Sequence, residues 1–331
     1  MDAALLVLVA LIGVALLFDF LNGMHDAANA IATVVSTRVL SPRNAVIGAA
    51  FFNFIAFAVF GTHVANTVGK GIIDPAIVDN AVIFGALGGA IAWNLITWWL
   101  GIPSSSSHAL IGGLLGAGIS KGGAAAVIAS GVIKTSVGIL VAPTLGLILA
   151  IALMVLISWL FVKVRPALAD GIFRKVQLIS ASLYALGHGG NDAQKTMGII
   201  AVLLFANGVT SEFAVPTWVV FACYGAMGLG TLTGGWRIVH TMGSKITRLS
   251  PMQGVAAETA GALCLFFATG LGVPVSTTHT ITGAIVGVGA ARRASAVRWN
   301  VAGGIVWAWI ITMPMAGLIG AGFFLLGQTF L

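Results

Sequence analysis

Long apolar stretches fill this chain almost from end to end, and they limit its fold more than any other feature. They lie near residues 3–37, 44–62, 80–102, 104–119, 122–142, 143–162, 176–207, 215–236, 252–270, 275–290 and 297–330. A helix needs about 20 apolar residues to cross the hydrocarbon core of a bilayer. Only 16 basic and 9 acidic residues remain to cover 331 residues, far fewer than a soluble domain carries. The sequence therefore predicts an all-α polytopic membrane protein, multi-pass in the cell inner (plasma) membrane.

Several stretches are too long or too short for one simple span. We therefore expect about ten spans, including broken helices and two re-entrant hairpin segments. The segment 163–175 holds four basic residues and one acid, so the positive-inside rule predicts that it faces the cytoplasm. The same rule applies to the connectors that contain Arg38, Arg43, Lys245, Arg248, Arg292, Arg293 and Arg298. Whether 80–119 and 251–290 cross the membrane or re-enter stays open. The net charge of +7 is spread over these connectors and does not indicate a nucleic-acid partner.

The chain repeats itself. The sequence GIPSSSSH at 101–108 recurs as GVPVSTTH at 272–279, 171 residues later, and the pairs Ala142-Pro143 and Met313-Pro314 have the same offset. Duplicated halves are typical of secondary transporters. We predict a first membrane repeat at 1–162, a cytoplasmic basic connector at 163–175 and a second membrane repeat at 176–331. If the first repeat starts outside the cell, the second starts inside, and the two repeats have inverted topology.

Acidic residues within apolar stretches are costly and are functional candidates by default. Asp26 and Asp192 occupy matching places in the two repeats, and each precedes a polar residue by three positions, Asn29 or Lys195. This spacing puts both side chains on one helix face. Glycines nearby are expected to loosen the helix and free backbone carbonyls, which with the carboxylates would suit a hard cation. The alternative is an Asp that only ties two helices together.

Two further acids have no matching partner. Glu258 aligns with Leu87 of the first repeat, so it is either a proton carrier or a helix-packing group. Asp19 is expected near a membrane surface. His25 and His188 neighbour the acidic motifs at non-equivalent positions, and a structural role is open for both.

The duplicated Pro-hydroxyl-His element has the opposite chemical character. Pro103 and Pro274 are each followed by hydroxyl residues and a histidine, which is typical of a helix N-terminus. Such an end offers unpaired N–H groups and partial positive charge, and its hydroxyls add donors. The pair of elements therefore predicts a site for phosphate or another oxyanion. The alternative is ordinary capping of a re-entrant helix.

Together these motifs resemble the inorganic phosphate transporter (PiT) family over nearly the whole chain. The resemblance implies an inverted-repeat transporter that imports phosphate with a cation, commonly as a homodimer. It implies a central site lined by Asp26, Asn29, Asp192, Ser105, Ser106, Ser107, Ser276, Thr277 and Thr278. Two residues depart from the family's duplicated Asn-Asp-x-x-Asn motif: His25 replaces the leading Asn and Lys195 the trailing one. The sequence looks more like the bacterial, low-affinity, proton-coupled branch, which the resemblance associates with metal–phosphate complexes.

The predicted function is secondary active import of inorganic phosphate, alone or as a metal–phosphate complex, by cation symport with protons favoured. The predicted phosphate-binding residues are Ser105, Ser106, Ser107, Ser276, Thr277, Thr278 and Lys195. The predicted cation- or proton-coupling residues are Asp26, Asn29, Asp192, Glu258, His108 and His279. Sodium coupling, another oxyanion such as sulfate, and a passive channel remain as alternatives. Nucleotide-binding and hydrolase motifs do not occur, so we expect no enzyme, no resident cofactor and no protein-bound metal.

Overall fold

The computed structural model describes residues 3–331 and is helical throughout its regular structure. The helices are α1 (Ala3–Ser36), α2 (Pro42–Ile55), α3 (His63–Gly71), α4 (Asn80–Leu100), α5 (Ser106–Gly122), α6 (Ala129–Leu160), α7 (Pro166–Ala206), α8 (Thr217–Thr233), α9 (Trp236–His240), α10 (Pro251–Gly270), α11 (Thr277–Arg292) and α12 (Trp299–Gly327). Short 3₁₀ turns link several of them, and a π turn extends α9 to Lys245. The predicted all-α membrane architecture is confirmed.

Within residues 3–331, five helices are long and apolar enough to cross a membrane, namely α1, α4, α6, α10 and α12. A sixth span results if α2 and α3 count as one broken helix, since they meet at 84° across a short gap. The expected count of about ten spans stays a prediction. The clearest break in a helix thus falls near residues 59–62.

The order of helices is the same in the two halves. The last helix of each half packs on two helices of the other half. Helix α6 of the first half packs on α10 and α11 of the second, and α12 packs on α4 and α5. The contacts are tight because small residues face backbone: a Cβ added at Gly283 would overlap the Pro143 carbonyl, and one at Gly112 would overlap the Met313 carbonyl. Close approach through glycine is typical of helices that pack within membranes. This reciprocal packing supports the predicted duplication.

Two hairpins, α4–α5 and α10–α11, point toward each other from opposite ends of the bundle. At the base of the first, Asp79 and Lys121 form an ion pair, and Asn207 at the end of α7 donates to Asn80 at 2.8 Å. At the base of the second, Arg248 and Arg292 line one cavity of about 300 Å³. Each hairpin therefore begins and ends at one end of the molecule, as a re-entrant segment does.

The base of the second hairpin shares its end of the molecule with the other basic connectors. Glu258 of α10 accepts a hydrogen bond from Gln177, near the start of α7, at 2.9 Å. Nearby, Arg174 donates to the carbonyl of Arg38 at 3.1 Å. We call this the basic end and the base of the first hairpin the opposite end. The connectors predicted to face the cytoplasm thus lie together, while the question whether the two hairpins cross the membrane or re-enter stays open.

One local expectation, the loosening of the Asp helices, was wrong, and two further features were not predicted. The stretches 122–142 and 143–162 are joined in one helix, α6, which continues through Pro143 because neighbouring helices accommodate a proline within the bundle. The glycine-rich Asp motifs do not loosen their helices, since α1 and α7 run continuously through them. There Gly189 instead makes room for the Asn53 carbonyl, where a Cβ would clash. Finally, most of the connector 163–175 is helical, because α7 starts at Pro166.

Candidate functional site

The N-termini of α5 and α11 meet in the middle of the molecule. We call residues 103–108 the first tip and 274–279 the second tip. Ser105 and Ser276 are the N-caps, and each hydroxyl accepts from the backbone N–H three residues later, at 3.2 Å in both tips. The hydroxyl of Ser107 donates to the Val275 carbonyl at 3.4 Å, so the two tips are in direct contact. Equivalent local sequences have thus formed equivalent caps.

Within the first turn of α5 and of α11, two backbone N–H groups have no acceptor among the described residues. They belong to Ser106 and Ser107 in the first tip, and to Thr277 and Thr278 in the second. The side chains of all four residues are buried. Unpaired N–H groups at helix starts attract anions, and in a site shielded from water they remain costly until an acceptor arrives. Four such groups at touching helix ends offer hydrogen-bond donors of the kind that suits an oxyanion.

The two Asp helices, α1 and α7, run antiparallel past these tips. Ligand atoms of Asp26, His188 and Asp192 all lie within 4.8 Å of one another, and the three residues are buried. The His188 Nε2 is 3.3 Å from an Asp192 carboxylate oxygen, and its Nδ1 is 3.1 Å from the Asn53 side-chain oxygen. Two carboxylates and an imidazole at this separation could hold a cation or share a proton.

Each Asp helix also reaches across to the tip of the other repeat. Asn29 of α1 donates to the Thr278 hydroxyl at 2.9 Å, and Lys195 of α7 donates to Ser107 at the matching position of the first tip. Lys195 also pairs with Asp192 and donates to the Val275 carbonyl at 2.8 Å. The ammonium group therefore lies inside the site, between a carboxylate and both tips.

Hydroxyls of the second tip connect the two carboxylates. The Thr277 hydroxyl donates to the Asp192 carboxylate at 3.0 Å, and the Thr278 hydroxyl donates to the Asp26 carboxylate at 3.5 Å. Asn29 bonds both threonines, with the longer bond to Thr277 at 3.3 Å. We call the residues joined by these contacts the central cluster, comprising Asp26, Asn29, Ser107, His188, Asp192, Lys195, Thr277 and Thr278. It brings together most of the residues predicted for the phosphate and coupling sites.

The leading residue of each Asp motif ties its helix to a hairpin. His25 lies 2.8 Å from the Asp26 carboxylate through Nδ1, and 3.1 Å from the Thr97 hydroxyl of α4 through Nε2. Its counterpart Asn191 donates to Thr269 of α10 at 2.9 Å and accepts from the backbone of Val275 at 3.3 Å. His25 thus links α1 to α4 as Asn191 links α7 to α10, and its ring also contacts Asp26.

The remaining predicted residues lie around or away from the cluster. Ser105 and Ser276 cap their helices, and Ser106 is buried with an unpartnered hydroxyl. The rings of His108 and His279 pack edge to face at 4.3 Å, and His279 stacks on Trp309. All four of their ring nitrogens lack a hydrogen-bond partner among the described residues.

Glu258 is not part of the cluster. It accepts from Gln177 and Ser180 near the basic end. Ser180 precedes Asp192 by twelve residues on α7, which corresponds to about 18 Å along the helix axis. Glu258 therefore does not reach phosphate held between the tips.

Two residues that lie near the cluster were noted in the sequence analysis but not assigned to the site. His188 lies four residues before Asp192, and this spacing on one helix face was a usable signal. Asp19 was expected near a membrane surface, which is wrong: it lies at the middle of the 34-residue helix α1 and is fully buried. The length of the apolar stretch 3–37 could have indicated its depth.

Comparisons with known proteins agree with this geometry. Residues 22–320 match the model of a family described as "Phosphate transporter family". The chain is similar to a protein of Rhizobium meliloti (strain 1021), with 66% identity over 97% of both chains, and to one of Bacillus subtilis (strain 168), with 46% identity over 100% of both. Both carry the name "Probable low-affinity inorganic phosphate transporter".

One solved structure, "The sodium-dependent phosphate transporter", is similar in fold, with a TM-score of 0.90 over 98% of this chain and 100% of that one. At 23% identity it supports the fold alone. The family consists of non-enzymatic permeases, which confirms the expectation that the chain is not an enzyme. The match over 22–320, with the high identity to full-length relatives, establishes that this chain belongs to the phosphate transporter family.

Proposed function

We propose that this protein is a secondary active transporter that imports inorganic phosphate by cation symport, with protons as the favoured coupling ion. One observation carries the proposal: two helix N-termini with free N–H groups and two helices bearing buried Asp residues meet in one cluster between the halves of the chain. A pocket of this kind offers donors to an oxyanion and acceptors to a cation within a few ångströms of each other.

Phosphate is held by the tips in this proposal. The N–H groups of Ser106, Ser107, Thr277 and Thr278 and the adjacent hydroxyls supply neutral donors, and Lys195 supplies the positive charge. Ser105 and Ser276 act indirectly, because their hydroxyls fix the first turn of each helix. Since Thr277 already donates to Asp192, phosphate competes with a carboxylate for the same hydroxyl. Protonation of that carboxylate, or a cation on it, would release the hydroxyl and link the two binding events.

The coupling ion follows from the charges of the cluster. Asp26, Asp192 and His188 lie close enough to share one positive charge. An interior-negative potential opposes anion import by about 2.3 kcal/mol per charge per 100 mV, so each phosphate needs accompanying positive charge. Lys195 already neutralises Asp192 as a resident cation, which reduces the need for sodium there and favours protons. Sodium coupling is the second candidate, supported by the spacing of Asp26, His188 and Asp192.

Further parts of the proposal rest on the fold and the family. The inverted repeats would provide alternating access, with each hairpin moving together with the long helix of the other half that packs on it. His108 and His279 hold the tips against each other, and Glu258 serves cation or proton passage near the basic end. A homodimer, location in the inner membrane with the basic end in the cytoplasm, and transport as a metal–phosphate complex complete the proposal.

The test is uptake of labelled phosphate into proteoliposomes under separately imposed pH and sodium gradients. We expect accumulation driven by the pH gradient, competition by arsenate and little effect of sulfate. Asp26→Asn and Asp192→Asn should each lower uptake at least tenfold, whereas Glu212→Gln, at an exposed loop position, should leave it unchanged. Uptake that ignores both Asp substitutions would refute these roles, and uptake without any accumulation would indicate a passive channel.

A further inference from the structure

Asp19 is the exceptional acid of this molecule. It is fully buried at the middle of α1, and neither carboxylate oxygen has a hydrogen-bond partner among residues 3–331. The other buried acids all have one: Asp26 meets His25, Asp192 meets Lys195, and Glu258 accepts from Gln177. An unpaired carboxylate is costly in the interior of a membrane protein and is retained where function needs it.

The side chains around Asp19 form a small pocket of unpaired oxygens. Asn22 of α1 and Thr196 of α7 face the carboxylate, and Tyr224 of α8 lies beside it. The Asn22 side-chain oxygen, the Thr196 hydroxyl and the Tyr224 hydroxyl also lack partners among the described residues, and all three residues are at most 2% exposed. Several buried polar groups from three helices thus converge without forming hydrogen bonds of ordinary geometry with one another. We call these four residues the Asp19 pocket.

The pocket lies next to the central cluster. Asp19 precedes Asp26 by seven residues, two turns or about 10 Å along α1, so both lie on the same helix face. Thr196 directly follows Lys195 on α7. Because α1 ends at the basic end, the Asp19 pocket lies on the side of the cluster that faces the opposite end. A charge entering from the opposite end would meet Asp19 before it meets Asp26.

Few other ionisable groups act on Asp19. From α7 the facing groups are Asp192 and Lys195, which pair with each other, and from α8 they are the Cys223 thiol and Tyr224. Helix α4, which also packs on α1, contains no ionisable side chain. No fixed positive charge is therefore free to compensate an ionised Asp19, and the compensating charge has to come from solution.

We propose that Asp19 is the proton-carrying residue of phosphate import, a role that rests on the proposed function and extends it. A lone carboxylate can carry a proton without any further ligand, whereas a sodium ion would use the other oxygens of the pocket as well, and the experiment below distinguishes the two. The carboxylate takes a proton from water on the opposite side, and the resulting carboxylic acid donates to Asn22 or Thr196. After reorientation the O–H bond breaks, the proton passes to water on the basic side, and the carboxylate is regenerated. One proton thus crosses with each phosphate.

The experiment compares two activities of Asp19→Asn, which mimics the protonated acid and cannot release a proton. Exchange of labelled for unlabelled phosphate at equal concentrations and equal pH needs only the loaded carrier. Accumulation driven by a pH gradient also needs deprotonation. We expect exchange to stay within threefold of the wild type and driven accumulation, with its phosphate-dependent internal acidification, to fall at least tenfold. Asp19→Glu, which restores an acid, should recover accumulation, and Glu212→Gln should match the wild type in both assays.

Other results would overturn the inference. Asp19→Asn vesicles that accumulate phosphate and acidify like the wild type would show that the proton travels elsewhere. Joint loss of exchange, accumulation and phosphate binding would assign Asp19 to the phosphate site or to folding. A wild type driven by sodium alone, with that drive lost in Asp19→Asn, would show that the pocket holds sodium. Failure of the wild type to exchange phosphate at all would refute the proposed function and the inference with it, which distinguishes that case from the others.

Discussion

Lys195 gives the sharpest prediction about ion dependence, because it is a charged residue at the place where the family motif has Asn. Its side chain is only 2% exposed, and it contacts Asp192, Ser107 and the Val275 carbonyl. Lys195→Asn removes the ammonium and leaves the Asp192 carboxylate buried without its counterion. The variant should therefore need a cation from solution at the place where the wild type has the ammonium group of Lys195.

The expected magnitude follows from the contacts that remain. Breaking a buried ion pair by removing one partner costs about 3–5 kcal/mol. Asp192 keeps the Thr277 donor at 3.0 Å and His188 at 3.3 Å, so we expect a loss near the lower end, about 3 kcal/mol. A cation present at a hundred times its dissociation constant raises the free energy of unfolding by about 2.7 kcal/mol. Saturating sodium should thus restore most of the lost stability.

The sodium dependence is tested by thermal unfolding of the purified variants in detergent. Unfolding temperatures in sodium chloride are compared with those in choline chloride. Lys195→Asn should unfold at a clearly lower temperature in choline and approach the wild type in sodium, while the wild type responds little. The double variant Lys195→Asn/Asp192→Asn should be close to wild-type stability and insensitive to sodium, since it has no orphan charge. Equal sodium responses in the wild type and Lys195→Asn would refute the role of Lys195 as a built-in cation.

Three other changes test separate parts of the account. Thr278→Val removes the hydroxyl between Asn29 and Asp26 and should raise the KM for phosphate uptake about tenfold, corresponding to about 1.4 kcal/mol, while Thr278→Ser stays near the wild type. Gly283→Val forces a side chain against the Pro143 carbonyl and should destabilise the protein by about 1–3 kcal/mol in thermal unfolding, whereas Gly13→Ala, with open space around it, should not destabilise the protein. Glu258→Gln should leave the KM for phosphate within twofold in uptake kinetics, because Ser180, which donates to Glu258, lies about 18 Å along α7 from Asp192.

Sequence reasoning was most successful where chemistry is duplicated. The matched Asp and Pro-hydroxyl motifs identified residues that meet in three dimensions, since cross-half pairs such as Asn29–Thr278 and Lys195–Ser107 occupy equivalent positions. Because the motifs occur twice, the first half of the chain could be compared with the second.

The failures have physical reasons. Glycines around Asp192 were read as helix-weakening, but the helix is held by its neighbours, and the glycines provide space for backbone such as that of Asn53. Tertiary packing overrides local propensity in such a place. Hydropathy left open whether each hairpin returns to its own end, because the return depends on contacts such as that of Asp79 with Lys121. Asp19 has no duplicate, so comparison of the two halves did not distinguish a buried acid from one near the membrane surface.

The central claim is that phosphate binds between the two hairpin tips, beside both Asp helices. Arsenate, which has the geometry of phosphate and scatters X-rays anomalously, can be located directly in crystals of this protein. The account predicts an anomalous peak within hydrogen-bonding distance of the backbone N–H groups of Ser107 and Thr278, and its loss in the Ser107→Ala/Thr278→Val double variant. A peak found only in the arginine-lined cavity at the basic end, with the tips empty at saturating arsenate, would contradict it.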